Sequence, residues 1–255
     1  MVDMEGISGI LKSEQVSSSG AFYQEGREYL VGDVNACVEG LIRGGAENVI
    51  VRDAHSSGFN FIWDRLDPRA EYIQGGGYGP RMPGIEDADG LVLLGYHAMA
   101  GTEAGVLEHT MSSKAWQNFH MNGIKCGEIA IDAGIAGDSG VPTIMVSGCD
   151  KACREAEEFI SGILTAQVKE GYGCFYAKLL SQKKAHELII KTAEKAVKKC
   201  NSIKPYTVDS PVTMCVEFVS RGSAPDRGDK PFFKKIDSRT YEVTGDTVLQ
   251  ALERL

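Results

Sequence analysis

Asp3 and Glu5 stand two residues apart in the run Asp-Met-Glu-Gly, directly after the apolar pair Met1–Val2. In an extended chain, residues i and i+2 point the same way, so both carboxylates can serve one site. Two anions held that close repel unless a proton or a cation lies between them. Imidazoles nearby make a divalent transition metal the natural cation, because zinc accepts carboxylate and histidine ligands together. The sequence has five histidines, and two of them follow strand-like apolar runs. His55 closes Asp53-Ala54-His55 after Asn48–Arg52, and His97 follows Tyr96 after Gly90–Gly95. One histidine in such a loop is ordinary; two beside a paired carboxylate point to a metal site. His186, on an amphipathic segment, reads as a surface residue.

These three strand ends need a frame that delivers them to one side. Asn48–Arg52, Leu91–Leu94 and Pro142–Ser147 are continuously apolar or nearly so and predict buried strands; Glu71–Gln74 is a weaker strand candidate. Helices are expected over Glu25–Gly45, where Val31, Val34, Val38, Leu41 and Ile42 share a face, and over Glu128–Gly137, Lys151–Ile163 and the segment around Leu188–Cys200. Buried strands alternating with helices predict an α/β fold, with a mostly parallel sheet covered by helices on both faces. Such sheets bind ligands beyond the carboxyl ends of their strands, where the acids and histidines fall. The pattern changes late in the chain: Val212–Phe218, Thr240–Val243 and a short helix from Asp246 predict a small C-terminal α+β appendage. The expected division is a catalytic domain over 1–205 and an appendage over 206–255.

Composition excludes several classes. The 255 residues carry a net charge of -8 and no dense Lys/Arg stripe, which argues against nucleic acid and anionic membranes as partners. The seven cysteines form no disulfide-like framework, and Cys149 and Cys153 lack a second pair to complete a zinc knot, so a reducing compartment is expected. No signal peptide or membrane span is evident, so the expected location is the cytoplasm. Gly75–Pro80 lacks the Gly-Lys-Ser/Thr ending of a phosphate loop and reads better as a turn or subunit contact than as a nucleotide site. Ser112 and Ser113 lie outside any Gly-x-Ser-x-Gly elbow.

Six segments, taken in order and spacing, resemble the D-aminopeptidase DppA family of metallopeptidases. They are Val2-Asp-Met-Glu-Gly-Ile-Ser-Gly9, Arg52-Asp-Ala-His55, Gly95-Tyr-His97, Glu108-His-Thr110, Asn122-Gly123 and Gly127-Glu128. The resemblance is specific up to about Asp150 and looser beyond. It implies a zinc peptidase with two Zn2+ per subunit that releases N-terminal, D-configured residues from short peptides or amino-acid amides. It further implies that Asp3 bridges the ions, that Glu5 and His97 hold one, and that His55 and Glu128 hold the other. His109 matches the family's catalytic histidine, described there as a nucleophile; imidazole chemistry near neutral pH favours general acid–base catalysis instead. Asp53 and Asn122 are candidates for orienting ligands or substrate. A homo-oligomer, a ring of ten subunits, is implied by the resemblance alone. Family members carry several more residues before the Asp-x-Glu motif, forming the first strand; either this sequence begins late or that strand is stunted, and a stunted strand would deprive Asp3 of rigid support. Rival readings are a binuclear metal amidohydrolase acting on a non-peptide amide, a non-catalytic peptide-binding protein and a nucleotide-binding domain.

Overall fold

The computed structural model describes residues 1–76 and 79–255. The chain runs α1 (Ser13–Val16), α2 (Tyr23–Gly44), β1 (Ile50–Arg52), β2 (Glu71–Ile73), β3 (Leu91–Tyr96), β4 (Trp116–Met121) and β5 (Ile124–Lys125). It continues α3 (Glu128–Asp138), β6 (Thr143–Cys149), α4 (Asp150–Phe159), β7 (Leu164–Gly173), β8 (Tyr176–Leu179) and α5 (Gln182–Lys199). It ends β9 (Val212–Phe218), β10 (Phe233–Lys235), β11 (Thr240–Gly245) and α6 (Val248–Glu253). The Gly75–Pro80 reading falls partly on Gly77 and Tyr78, which lie outside the described residues.

Strands β3, β6 and β7 are parallel neighbours, and β8 adds an antiparallel edge. Strands β1 and β2 pair in parallel beside them. The chain start joins the two groups, because Val2 bridges Asp53 on one side and Leu94 on the other, both in parallel. Its backbone bonds are complete: Val2 N donates to Arg52 O, Ala54 N to Val2 O, and Asp3 N to Leu94 O. The loss of support that a stunted strand would bring to Asp3 is therefore not what the structure shows. The backbone at Val2–Asp3 is inserted between strands and hydrogen-bonded on both edges, which supports Asp3. Buried β6, with every residue from Thr143 to Cys149 shielded, explains why its sequence is apolar without alternation.

Helices α2 and α5 pack together against β3, β6 and β7, while α3 and α4 cover the other face. The α/β reading with helices on both faces thus describes the fold. Helix α2 ends where periodicity predicts: Gly45 takes the left-handed conformation and its N–H caps the carbonyls of Leu41 and Ile42. Helix α4 stops at Phe159, short of the expected Ile163, because the chain must turn into β7 at Leu164. The second sheet is antiparallel, in the order β10-β11-β9-β4-β5. It recruits Trp116–Lys125 alongside the C-terminal strands, so it crosses the expected division at residue 205. Among the described residues no helix is long and apolar enough to cross a membrane.

Candidate metal centre

Close backbone approach sets the site. The Asp3–Gly6 turn lies against the end of β3, where Gly6 N donates to Gly95 O at 2.7 Å. A Cβ on Gly6 would meet Tyr96 O at 2.0 Å, and one on Gly95, whose φ is +73°, would meet Asp3 O at 2.4 Å. Only glycine fits at either position, so the Asp-Met-Glu-Gly and Gly-Tyr-His motifs are two halves of one contact. The turn is pinned from below by Lys169 on β7, a fully buried lysine donating to Glu5 O (2.8 Å) and Ile10 O (2.7 Å). Asp33 of α2 holds it from the side, accepting from Ser8 N (2.8 Å) and Ser8 Oγ (2.6 Å). His186 is not a free surface residue: its Nε2 lies 3.3 Å from Asp33 Oδ1.

The five expected ligands converge. His55 Nδ1 lies 2.8 Å from Asp3 Oδ1 and 3.1 Å from Glu5 Oε2. His97 Nε2 lies 3.2 Å from Asp3 Oδ2 and 3.4 Å from Glu128 Oε1. Asp3 thus offers one oxygen to each side. The grouping differs from the one the family resemblance implied: Glu5 sits with His55, and Glu128 with His97. The side chains of one turn and one strand end meet locally, whereas Glu128 arrives on the first turn of α3 and reaches β3's histidine.

Each imidazole is fixed through its second nitrogen. His55 Nε2 meets Val16 O at 2.9 Å, and His97 Nδ1 meets Ala98 O at 3.0 Å. A carbonyl only accepts, so those nitrogens carry the N–H. In neutral rings, His55 Nδ1 and His97 Nε2 then point bare lone pairs at carboxylate oxygens. Glu5 Oε2 and His97 Nε2 are buried and without a hydrogen-bond partner. Lone pairs facing anions are repulsive without an intervening cation, so the donor set fits divalent metal ions of the kind that take nitrogen and oxygen ligands.

Without metal, protons must fill that role. Burial alone would raise the Asp3 carboxyl, but hydrogen bonds from His55 and His97 hold it well below its usual range. Burial alone would lower His55, yet the charges and hydrogen bonds of Glu5 and Asp3 push it well above. Glu128, against the same burial cost, is brought down to about 2 by His97.

His109 completes the group. Its ring stacks on His97 with centroids 3.9 Å apart and planes 13° apart. Nδ1 meets Leu107 O at 3.0 Å, and Nε2 lies 3.8 Å from Glu128 Oε1. The loop around it is strained: Leu107 and Met111 adopt left-handed φ values of 51° and 57°. Each such non-glycine residue costs roughly 1–2 kcal/mol. Fixed contacts hold it, from Leu107 N to Cys174 O, His109 N to Ala98 O and Met111 N to Glu128 Oε1.

The two remaining candidates separate. Asp53 is fully buried beside the cluster, but its oxygens accept from His55 N, Asn60 N and Asn60 Nδ2. It shapes the His55 loop through the backbone. Asn122 is not brought to the centre. It is exposed, and its amide spans Asp209 O and Thr213 N, tying β4's turn to β9. Two neighbours escaped the sequence reading. Arg81 pairs with Asp132 at 2.6 Å and places Nη2 3.5 Å from Glu128 Oε2. Glu155 of α4 accepts from Met99 N at 2.7 Å behind His97. Neither carries a periodicity or motif; a charged residue in a polar stretch looks like solvent-facing surface.

An α/β chain that gathers two carboxylates and two tautomer-locked imidazoles at its strand ends, and a third carboxylate on the first turn of α3, has the centre of a metal-dependent hydrolase, and its relatives narrow the class to metallo-aminopeptidases. The family model described as D-aminopeptidase matches residues 1–255, and the chain belongs to that family. It is 35% identical over 225 residues to a D-aminopeptidase of Bacillus subtilis (strain 168), a match covering 88% of this chain and 81% of that protein. The structure is similar to that of the Zn-dependent D-aminopeptidase DppA from Bacillus subtilis, described as a self-compartmentalizing protease. The TM-score is 0.92 at 32% identity, covering 99% of this chain and 92% of the other.

Proposed function

We propose that this chain removes N-terminal D-amino acids from short peptides or amino-acid amides, using two zinc ions per subunit held by Asp3, Glu5, His55, His97 and Glu128. The observation that carries the reading is the pair of lone-pair-bearing nitrogens, His55 Nδ1 and His97 Nε2, facing opposite oxygens of Asp3. Asp3 is the shared ligand, with Glu5 and His55 on one side and His97 and Glu128 on the other. The metals supply Lewis acidity toward the substrate carbonyl and toward the attacking water.

His109 moves the protons. With Nδ1–H anchored to Leu107 O, Nε2 is the basic atom, and it faces the same space as Glu128. Nε2 takes a proton from the attacking water and returns it to the departing amine. Stacking on His97 and the strained loop keep the ring in place between the two events. The homo-oligomer, a decamer by family resemblance, belongs to this proposal; the relative described as self-compartmentalizing supports an assembly. A cytoplasmic location is part of the same reading.

His109→Ala tests the assignment. The account expects hydrolysis of a D-alanyl amide to fall about 10²–10⁴-fold while zinc content stays at the wild-type level. Turnover within a few-fold of wild type, with metal retained, removes His109 from the chemistry.

A further inference from the structure

Lys169 on β7 is a buried cation that the proposed chemistry does not use. Among the described residues it makes no ion pair, and its ammonium donates only to two main-chain oxygens, Glu5 O at 2.8 Å and Ile10 O at 2.7 Å. Burying a charge there is unfavourable unless its N–H groups do something that an apolar side chain cannot. A β-bulge brings it in. Gln167 pairs with Gly148 and Lys169 with Cys149, so Val168 is the extra residue. In an unbroken strand Lys169 would follow Gln167 to the exposed side; the bulge places it with Val168 in the interior.

Neither Glu5 O nor Ile10 O has another donor among the described residues. The ammonium therefore closes Glu5–Ile10 into a loop, while Asp33 holds the middle of that loop through Ser8. The peptide unit that follows Glu5 is gripped at both ends, Gly6 N–H by Gly95 O and Glu5 O by Lys169. That unit is planar, so fixing both ends fixes its orientation. Glu5 depends on this grip more than the other acids of the centre do. Met4 N donates to Asp3 at 2.9 Å, and Met111 N donates to Glu128 at 2.8 Å. Among the described residues no backbone N–H donates to the Glu5 carboxylate, and its Oε2, 3.1 Å from His55 Nδ1, is buried without a hydrogen-bond partner.

Resting on the two-zinc reading, we infer that Lys169 is the positioning residue of Glu5. By fixing the peptide plane that follows Glu5, its ammonium aims the carboxylate at the ion shared with His55. The ion held by His97 and Glu128 does not depend on it. Groups that orient a ligand from behind set metal affinity as the ligand itself does.

Zinc affinity of the full chain tests this in two backgrounds. His97→Ala retains the Glu5–His55 half, and His55→Ala retains the His97–Glu128 half. Lys169→Met, which keeps the apolar stem, is expected to weaken the remaining ion about 10–100-fold in His97→Ala and to leave it within about threefold in His55→Ala. Ser8→Ala, which loosens the middle of the same loop, is expected to move neither. Equal weakening in both backgrounds, no weakening in either, or the same selective loss in Ser8→Ala overturns the inference. If Lys169→Met does not fold, Lys169→Gln, which keeps an N–H donor on a shorter stem, decides by the same comparison, with a smaller loss confined to His97→Ala. If wild type takes up fewer than two equivalents, the two-zinc reading fails by itself. Amide exchange of the metal-free protein then decides the role of Lys169. Exchange at Gly6 must quicken by about tenfold or more in Lys169→Met while Asn60 keeps its wild-type rate, and an unchanged Gly6 overturns the inference.

Discussion

Asp3 and Asp53 are both buried aspartates at strand ends, 50 positions apart and joined through the same Val2 bridge, yet they do opposite work. Asp53 is surrounded by donors. Asn60 N at 2.6 Å, Asn60 Nδ2 at 2.9 Å and His55 N at 3.3 Å close its shell with protein alone. Asp3 receives Met4 N at 2.9 Å, but its other neighbours are imidazole nitrogens that, in neutral rings, have their one proton on the far nitrogen. The lesson is that a ligand is recognised by what its surroundings fail to supply, not by residue type or burial. Burial without donors is unstable until a cation enters; burial with donors is architecture.

Substitution at the two positions should break the pair apart. Asp3→Asn is expected to lower turnover by roughly three decades or more, since it removes the ligand common to both halves. In metal-free protein it should cost less stability than Asp53→Ala, because an amide oxygen at position 3 still accepts from Met4 N while one anion leaves a site that holds two others. Asp53→Ala is expected to cost about 3–5 kcal/mol in urea denaturation, stranding the donors of Asn60 and His55. Equal destabilisation by both changes would erase the distinction.

A smaller effect sharpens the same contrast at Glu155, a buried carboxyl with one satisfied oxygen and one orphan. Burial is the main cause that pushes it up to about 7 from an ordinary 4.5, against the opposing pull of the Met99 N–H. Between those values the unfolded chain releases a proton that the folded chain keeps. Stability of the metal-free protein therefore falls as pH rises through that window, by about 3 kcal/mol once pH exceeds 7. Glu155→Gln should abolish that decline and melt higher than wild type at pH 8. Parallel pH profiles for the two proteins would contradict it.

Much of the frame was legible because its signals are local. The apolar runs of β3 and β6 and the periodic faces of α2 and α5 announce themselves, and the strand-end histidines and Asp-x-Glu pair follow from them. Strand β7 was not legible: Lys169 interrupts its apolar side, and only the folded chain shows that this lysine is clamped beneath the Glu5 turn. Trp116–Met121 was hidden for another reason. Its partner β9 lies almost a hundred residues away, and nothing in its own half-exposed pattern names that partner. Glu128 and His109 depended on resemblance, since an acid opening a helix and a histidine in a loop are ordinary in isolation.

Zinc titration of metal-free protein, read as stoichiometry, tests the central claim most directly. The account predicts two equivalents per chain for wild type. One equivalent should be lost in His55→Ala and the other in His97→Ala, with both weakened in Asp3→Asn. A single equivalent in wild type, or two retained in Asp3→Asn at undiminished affinity, would contradict it.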